Sequence, residues 1–226
     1  MAPEALRHLV ALYDGEIAHT DAHVGKILDL LDDLKLADRT LLIVTADHGE
    51  GFLEHGKLHH GFGLNEELIH VPWIVRLPNV VAAGRRLSAN ASHVDVLPTV
   101  LGILRIAPPH ESAFQGVDLS PAMTGEDVLP ERLLFSELDY AGLNLRSVRW
   151  GPCKLTGTLG KVPESFVQVA GGKEDSLSEK DSSEDIRARL GRAFVEGPPR
   201  TSGDSVRAEA PSKKLIERLR SLGYAQ

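Results

Sequence analysis

The sequence predicts an α/β fold, in which part of a mostly parallel sheet flanked by helices is followed by a small antiparallel sheet with a terminal helix. A stretch at residues 3–35 repeats apolar residues at helical spacing. Two short apolar runs follow at 41–44 and 71–76, and this alternation is typical of a parallel sheet covered by helices. Further along the chain the predicted strands shorten, so we expect two regions, 1–129 and 130–226.

The first predicted element is a helix from about Pro3 to Lys35. Asp21 falls on its apolar stripe, which is formed by Tyr13, Ile17, Val24, Leu28 and Leu31. We expect Asp21 to be a structural acid that bonds a loop or a helix end, because a buried carboxylate needs a partner. A metal-binding or catalytic role is the alternative.

The first predicted strand ends in a cluster of polar residues. Residues 40–50 read T-L-L-I-V-T-A-D-H-G-E, and the run 41–44 is apolar without alternation, as in a strand buried on both faces. In α/β folds ligands collect beyond the carboxyl ends of such strands. Asp47 and His48 lie there and offer a carboxylate and an imidazole suited to a divalent metal. Taken alone, these residues are equally consistent with an ordinary polar turn, which Gly49 would allow.

A loop rich in histidine and glycine follows at 50–72. It contains Lys57 and four histidines that can donate hydrogen bonds to an anionic group, namely His55, His59, His60 and His70. The alternative is a flexible surface loop with incidental histidines. Because the loop begins at the metal pair and ends at a second apolar strand, we favour a ligand-binding loop.

These segments together resemble a known family. T-A-D-H-G-E, then E-H-G, then H-G ahead of N-E-E-L-I-H-V-P-W-I-V-R resembles the C-terminal part of the catalytic domain of sulfatases, which belong to the alkaline phosphatase superfamily. The segments 13–34, 93–106 and 215–226 agree with this resemblance in order and spacing. It covers about residues 10–150 well and the tail loosely.

The resemblance implies that Asp47 and His48 are metal ligands, and that the metal is calcium, as is usual in the family. Many relatives have asparagine at the position of His48. Calcium prefers oxygen ligands, so a histidine there points towards manganese or zinc. A bound cation would stabilise charge on the sulfuryl oxygens and orient the nucleophile.

The resemblance also implies a lysine or histidine that contacts the anionic group of the substrate or its leaving oxygen. The spacing to the Val71–Pro72 pair assigns this role to His60, which can act as an acid or as a cation. Lys57 and His55 are lower-ranked candidates. We expect His59 to point away from the site, and structural roles are at least as favoured for His70 and His93.

The family's nucleophile is absent from this chain. Sulfatases carry a C-x-P-S-R or S-x-P-S-R segment upstream, whose cysteine or serine is converted to formylglycine. The one cysteine, Cys153, lies downstream in G-P-C-K-L and lacks the Pro-Ser-Arg sequence. Two family aspartates that complete the metal site are also absent. We therefore expect a C-terminal fragment that is inactive alone and that associates with its N-terminal half or with itself.

The C-terminal region is predicted to form four short strands, and the resemblance implies that a helix packs against them. The predicted strands are 133–138, 147–150, 154–158 and 165–170. Segment 171–185 is polar and is predicted to be a mobile loop. Segment 197–211 reads as a linker and 212–222 as a terminal helix with Ser212 at its N-cap.

Composition excludes several other functions. The net charge is −7 and no basic run interleaves with aromatic residues, which argues against nucleic-acid binding. No apolar run approaches the roughly 20 residues of a membrane span. Residues 1–4 lack the pattern of a signal peptide, but this does not assign a compartment.

The resulting hypothesis is the metal- and substrate-binding part of a hydrolase of sulfate esters, with a sulfated small molecule or glycan as its substrate. Phospho- or phosphonoester hydrolases and phosphoethanolamine-type transferases share the D-H-G strand and are alternatives. A non-catalytic remnant or partner-binding fragment is the alternative of another class. The sequence does not identify the substrate or the native metal.

Overall fold

A computed structural model describes residues 1–108, 114–125, 129, 131–177 and 184–199 of the 226-residue chain. It confirms the α/β class. Two short 3₁₀ turns, Ala37–Arg39 and His93–Asp95, join the main elements. In chain order these are α1 (Pro3–Asp33), β1 (Leu42–Thr45), α2 (Glu66–Ile69), β2 (Trp73–Arg76), α3 (Val96–Leu104), α4 (Ser120–Thr124), β3 (Leu134–Tyr140), β4 (Leu143–Trp150), β5 (Cys153–Thr158), β6 (Ser165–Ala170), β7 (Lys173–Ser176) and α5 (Glu184–Glu196).

The long helix α1 spans nearly the predicted residues, but little of the described chain packs against it. Proline in its first turn suits a helix start, because the missing N–H would have no partner there. None of its residues is buried, and Ile17 and Ile27 are 53% and 57% exposed. Tyr13 packs edge-on against Phe52 with ring centroids 5.2 Å apart. Asp21 is exposed, so its charge does not require the structural partner that the sequence predicted.

Strands β1 and β2 form an antiparallel pair, with Leu42 opposite Arg76 and Thr45 opposite Trp73. The prediction of a mostly parallel sheet is therefore wrong for this pair. An apolar run reads the same in either direction, so the sequence pattern could not set the pairing. The apolar residues of β1 are half-buried rather than buried on both faces. In β2, Ile74 is exposed while Trp73 and Val75 pack against a core of Ile103, Leu119 and Met123.

The predicted antiparallel sheet is present in the C-terminal region. Its strands follow the chain order β3-β4-β5-β6-β7, and every neighbouring pair is antiparallel. Strand β7 lies inside the segment 171–185 that the sequence predicted to be a loop. It has no apolar alternation, and a turn at Gly171 and Gly172, both with positive φ, folds it onto β6.

Helix α5 covers one face of this sheet. Its Leu190 and Phe194 pack with Val148, and all three are at most 2% exposed. Burying side chains of this size contributes about 1.5–3 kcal/mol each. The predicted terminal helix at 212–222 and most of the linker 197–211 lie outside the described residues.

A buried acid joins the two regions of the chain. Asp95 is fully buried and accepts hydrogen bonds from the backbone N–H groups of Ser92 and Val117, at 2.8 and 2.9 Å. It also pairs with Arg132. These partners compensate its loss of water.

Within the described ranges, no helix has the length and apolar character needed to cross a membrane.

Candidate functional site

The turn after β1 is held tightly against α2. Gly49 donates its backbone N–H to the carbonyl of Leu68 at 2.8 Å. A Cβ atom at Gly49 would lie 2.0 Å from the carbonyl oxygen of Glu67, so only glycine fits here without a shift of the backbone. This contact places the preceding residues, Asp47 and His48, at one end of the strand.

Asp47 and His48 converge at this turn. The Asp47 carboxylate accepts the backbone N–H of His48 at 3.0 Å, and its second oxygen lies 3.7 Å from His48 Nε2. His48 Nδ1 lies 2.8 Å from the carbonyl of Gly49. Because a carbonyl only accepts, Nδ1 of the neutral ring carries the proton and Nε2 presents its lone pair. A carboxylate oxygen and an imidazole nitrogen with a lone pair therefore lie 3.7 Å apart.

The loop returns His60 to the same place. Its ring lies over that of His48, with centroids 3.9 Å apart and an interplanar angle of 31°. The positive φ angles of His59 and Gly61, which flank His60, mark two sharp changes of backbone direction. His60 Nδ1 lies 3.3 Å from the carboxylate of Glu50, so this acid can orient the ring and leave Nε2 free for a ligand.

The lower-ranked loop candidates lie elsewhere. His55 Nδ1 contacts the Glu67 carboxylate at 2.7 Å, and its Nε2 lies 3.7 Å from Glu174. Both ring nitrogens are thus engaged by acids. Lys57 is exposed, and its carbonyl closes the loop by accepting the backbone N–H of Leu53 at 3.0 Å.

The remaining histidines differ in their relation to the site. His93 Nε2 lies 2.8 Å from the carbonyl of Ala46, the residue before Asp47, so this side chain ties the end of β1 to the entry of α3. His70 lies beside Gly172 of the C-terminal sheet. His59, which the sequence predicted to point away, lines the same cleft as His60 and has a positive φ.

The site opens into a broad cleft between the two regions. Asp47, His48 and His60 line one side. Tyr140, at the end of β3, lies 3.3 Å from the position that a Cβ atom of Gly61 would occupy. Trp73, Arg85 and Arg86 also line the cleft and give it aromatic and cationic groups.

A divalent cation fits this pair of ligands only in part. The Asp47 side chain is 69% exposed and that of His48 39%, so both can reach an ion. Within the part of the chain that the structure describes, no group of three or more histidine, cysteine or acidic side chains could hold a metal. A cation bound here would have at most these two side chains as ligands, and water or other groups would have to complete its coordination shell.

Cys153 has the properties of a structural cysteine. It is buried in the core beneath α5. Burial raises the pKa of its thiol, and the negative charge of Glu131 raises it further. A raised pKa keeps the sulfur protonated and unreactive.

Sequence reasoning missed Glu50 as a partner of His60. The only sequence signal was its position at the end of D-H-G-E, where an acid is also common in a solvated turn. The loop geometry, with an isolated bridge between Phe52 and Leu58, brings the two side chains together across ten residues.

Comparison with known proteins supports the resemblance. The family model described as Sulfatase matches residues 1–106. Steryl-sulfatase of Homo sapiens is 33% identical over 154 residues, which are 62% of this chain and 26% of that protein. Arylsulfatase K of Gallus gallus is 34% identical over 175 residues, which are 72% of this chain and 32% of that protein. Residues 1–106, which the family model matches, are thus a sulfatase-family segment.

Solved structures place the sulfatase-like fold over most of the chain. A protein in complex with its substrate D-glucosamine-2-N,6-O-disulfate superposes with a TM-score of 0.66 at 22% identity, over 80% of this chain and 38% of that one. The phosphonate monoester hydrolase of Agrobacterium radiobacter superposes with a TM-score of 0.68 at 27% identity, over 85% of this chain and 41% of that one. The chain thus spans between a quarter and about two fifths of the length of these relatives.

Proposed function

We propose that this chain forms the metal- and substrate-binding part of a hydrolase of sulfate esters. The observation that carries the proposal is the convergence of Asp47, His48 and His60 at the end of β1, with the two imidazole rings 3.9 Å apart. The match of residues 1–106 to the sulfatase family model supports this chemistry.

Asp47 and His48 would hold the divalent cation. Their oxygen and nitrogen donors suit manganese or zinc, and calcium is the usual family metal. The bound cation would withdraw charge from the sulfuryl oxygens. The hydrogen bond from His48 Nδ1 to the Gly49 carbonyl keeps its Nε2 available as a ligand.

His60 would act on the substrate. With Nδ1 against Glu50, its Nε2 can carry a proton that stabilises the anionic group or is delivered to the leaving oxygen. Lys57 and His55 would have at most secondary roles, because they lie outside the contacts that join His48 and His60.

The substrate class is a sulfated small molecule or glycan. The structural neighbour that was solved with a disulfated glucosamine supports this class. Tyr140, Trp73, Arg85 and Arg86 offer the cleft surfaces that would contact the rest of such a molecule.

Hydrolysis of a phosphonate or phosphate ester is the second candidate. The similarity to a phosphonate monoester hydrolase, at 27% identity, favours it. The two activities need the same metal pair and differ in the nucleophile and in the anion that is bound. An assay with paired aryl sulfate and aryl phosphonate substrates on a protein that contains this segment and its nucleophile would distinguish them.

Metal binding by the 226-residue chain tests the proposal directly. We expect Mn²⁺ and Ca²⁺ to bind with a Kd of about 10⁻⁴ to 10⁻³ M, because few protein ligands are present. Asp47→Asn and His48→Ala should each abolish binding in calorimetry, whereas His59→Ala should not. Unchanged binding by both ligand variants would exclude this site.

Turnover tests the role of His60. In a protein that contains both this segment and the nucleophile, His60→Ala should lower kcat/KM by about 10²–10⁴-fold, as for loss of a general acid. His59→Ala is the matched control and should have a much smaller effect. Equal losses would remove the basis for choosing His60. The 226-residue chain alone should show no turnover of an aryl sulfate, because it offers no formylglycine nucleophile.

A further inference from the structure

A buried lysine lies between the C-terminal sheet and the start of α2. The Lys154 side chain is 1% exposed, and its Nζ donates to the carbonyl of Leu64 at 2.5 Å, to Glu66 at 3.0 Å and to Glu174 at 2.7 Å. A buried ammonium group is costly unless all its donors have acceptors. Here three donors meet three acceptors.

The acids around Lys154 are themselves fully engaged. Glu66 also accepts from Arg149 at 3.1 Å. Glu174 accepts the backbone N–H of Glu66 and the side-chain amide of Asn65, both at 3.0 Å. Burial alone would raise the pKa of the Glu174 carboxyl, but the hydrogen bond and charge of Lys154, with smaller contributions from Asn65 and His55, lower it. The cluster therefore pairs two basic side chains with two carboxyl groups.

The cluster lies on the face of the sheet opposite α5. On β5, Cys153 and Leu155 pack with the α5 core, and Lys154 between them points to the other face because side chains alternate along a strand. The apolar core that holds the sheet together thus does not include Lys154. What Lys154 contacts is the segment 64–66, more than 80 residues earlier in the chain.

That segment leads directly to the candidate site. Residues Asn65 and Glu66 begin α2, and the Leu68 carbonyl in α2 accepts the backbone N–H of Gly49. Gly49 follows Asp47 and His48 and touches the α2 backbone so closely that no side chain fits. A displacement of α2 would therefore move the turn that carries both candidate ligands.

We propose that Lys154 is a positioning residue, which sets the location of the Asp47–His48 turn by anchoring the start of α2 to the C-terminal sheet. The functional importance of the position of this turn rests on the proposed function, whereas the anchoring of α2 by Lys154 does not. It assigns to the C-terminal sheet a part in arranging the site, although none of its residues lies among the proposed metal ligands.

The test compares Lys154→Met with Lys161→Met, an exposed lysine in the turn between β5 and β6, in the 226-residue chain. Hydrogen exchange measured by mass spectrometry should be about tenfold faster for the peptide containing Gly49 in Lys154→Met. Exchange in β4, which the α5 core protects, should change less than twofold. Lys161→Met should match the parent chain in both regions.

Mn²⁺ binding, measured as the loss of the free-ion EPR signal, adds a quantity that a purely structural role of Lys154 would leave unchanged. Lys154→Met should weaken binding by about tenfold, as outer-shell changes do at metal sites. If the parent chain binds no Mn²⁺, the proposed metal site fails, and the exchange data alone still decide whether Lys154 positions the turn.

A second variant covers the case in which Lys154→Met does not fold. Glu174→Ala keeps Lys154 paired with Glu66 but removes the acceptor of the Glu66 N–H and of Asn65. Its control is Asp175→Ala, the exposed neighbour on the same strand. Faster exchange at Gly49 in Glu174→Ala only would support the proposal. Equal exchange at Gly49 in variant and control, or a parallel increase in β4, would overturn it.

Discussion

Two helices of this chain, α1 and α5, show opposite relations to their surroundings. The 13-residue α5 buries Leu190 and Phe194 against the C-terminal sheet, and its Arg189 lies 4.0 Å from the centre of the Trp150 ring. The 31-residue α1 buries none of its residues. A helical sequence pattern therefore does not indicate how strongly a helix is stabilised in the fold, because tertiary packing supplies most of the stability.

The largest expected effect lies in the α5 core. Phe194→Ala should reduce the free energy of unfolding by about 3–5 kcal/mol, because it removes a large buried side chain and leaves a cavity. Urea denaturation followed by circular dichroism measures this. The neighbouring Val195 is 80% exposed, and Val195→Ala should change the free energy by less than about 0.5 kcal/mol. Equal losses in the two variants would contradict the packing described for α5.

Two glycine substitutions sharpen the comparison at the other end of the chain. Gly49→Ala should destabilise by about 1–3 kcal/mol, because its Cβ would overlap the Glu67 carbonyl. Gly25 in α1 has no atom within 4 Å of its added Cβ, so Gly25→Ala should stabilise the helix by about 0.5–1 kcal/mol. Thermal unfolding of both variants checks the opposite signs.

The pH dependence of stability distinguishes the contribution of the charged cluster around Lys154 from that of the apolar core. The pKa of Glu174 is lowered in the folded chain, so its stabilising contribution is complete above its ordinary pKa of 4.5 and is lost as the pH falls through the lower, folded value. The stability difference between the parent chain and Glu174→Gln should therefore shrink below about pH 4.5. Urea titrations at a series of pH values measure it, and a constant difference would show that the Glu174 charge contributes nothing.

The smallest effect on stability, with the clearest effect on association, is expected on α1. Ile17→Glu with Ile27→Glu should change the free energy of unfolding by less than about 0.5 kcal/mol, because both side chains are already exposed. The parent chain should self-associate through these exposed apolar side chains of α1, and the double variant should shift towards the monomer in sedimentation velocity.

The control for association is Lys26→Glu, which adds negative charge to α1 without removing apolar surface. Persistence of self-association in the double variant would place the contact elsewhere. If supplying the N-terminal half of a sulfatase catalytic domain in trans reverses self-association, the same exposed side chains of α1 contact that half.

Local patterns predicted α1 and most of the strands, but not helix α5. Helix α1, strands β1 and β2, and four of the five C-terminal strands lie where apolar spacing placed them. Strand β7 was missed because Lys173–Ser176 has no apolar residue and owes its conformation to pairing with β6. The antiparallel pairing of β1 and β2 was missed because an apolar run carries no direction.

In the candidate site, too, some features were predictable from local sequence and others depended on the tertiary structure. Asp47 and His48 are adjacent in sequence, and a strand followed by glycine was enough to suggest their convergence. The partnership of His60 with Glu50 depends on the path of a loop, which residue types alone do not define. His55 is also a loop histidine that precedes a glycine, and the sequence ranked it below His60; it lies against Glu67 and Glu174.

The sequence by itself indicated the resemblance to sulfatases, the positions of α1 and of most strands, and the residue types able to bind a cation or an anion, since these follow from residue type and short-range spacing. Only the tertiary structure decided which of these residues meet. It alone also revealed Lys154, which the sequence offers as one more strand residue. A buried charge requires partners from distant segments, and Leu64 and Glu66 come from a segment more than 80 residues away, so no local pattern records that contact.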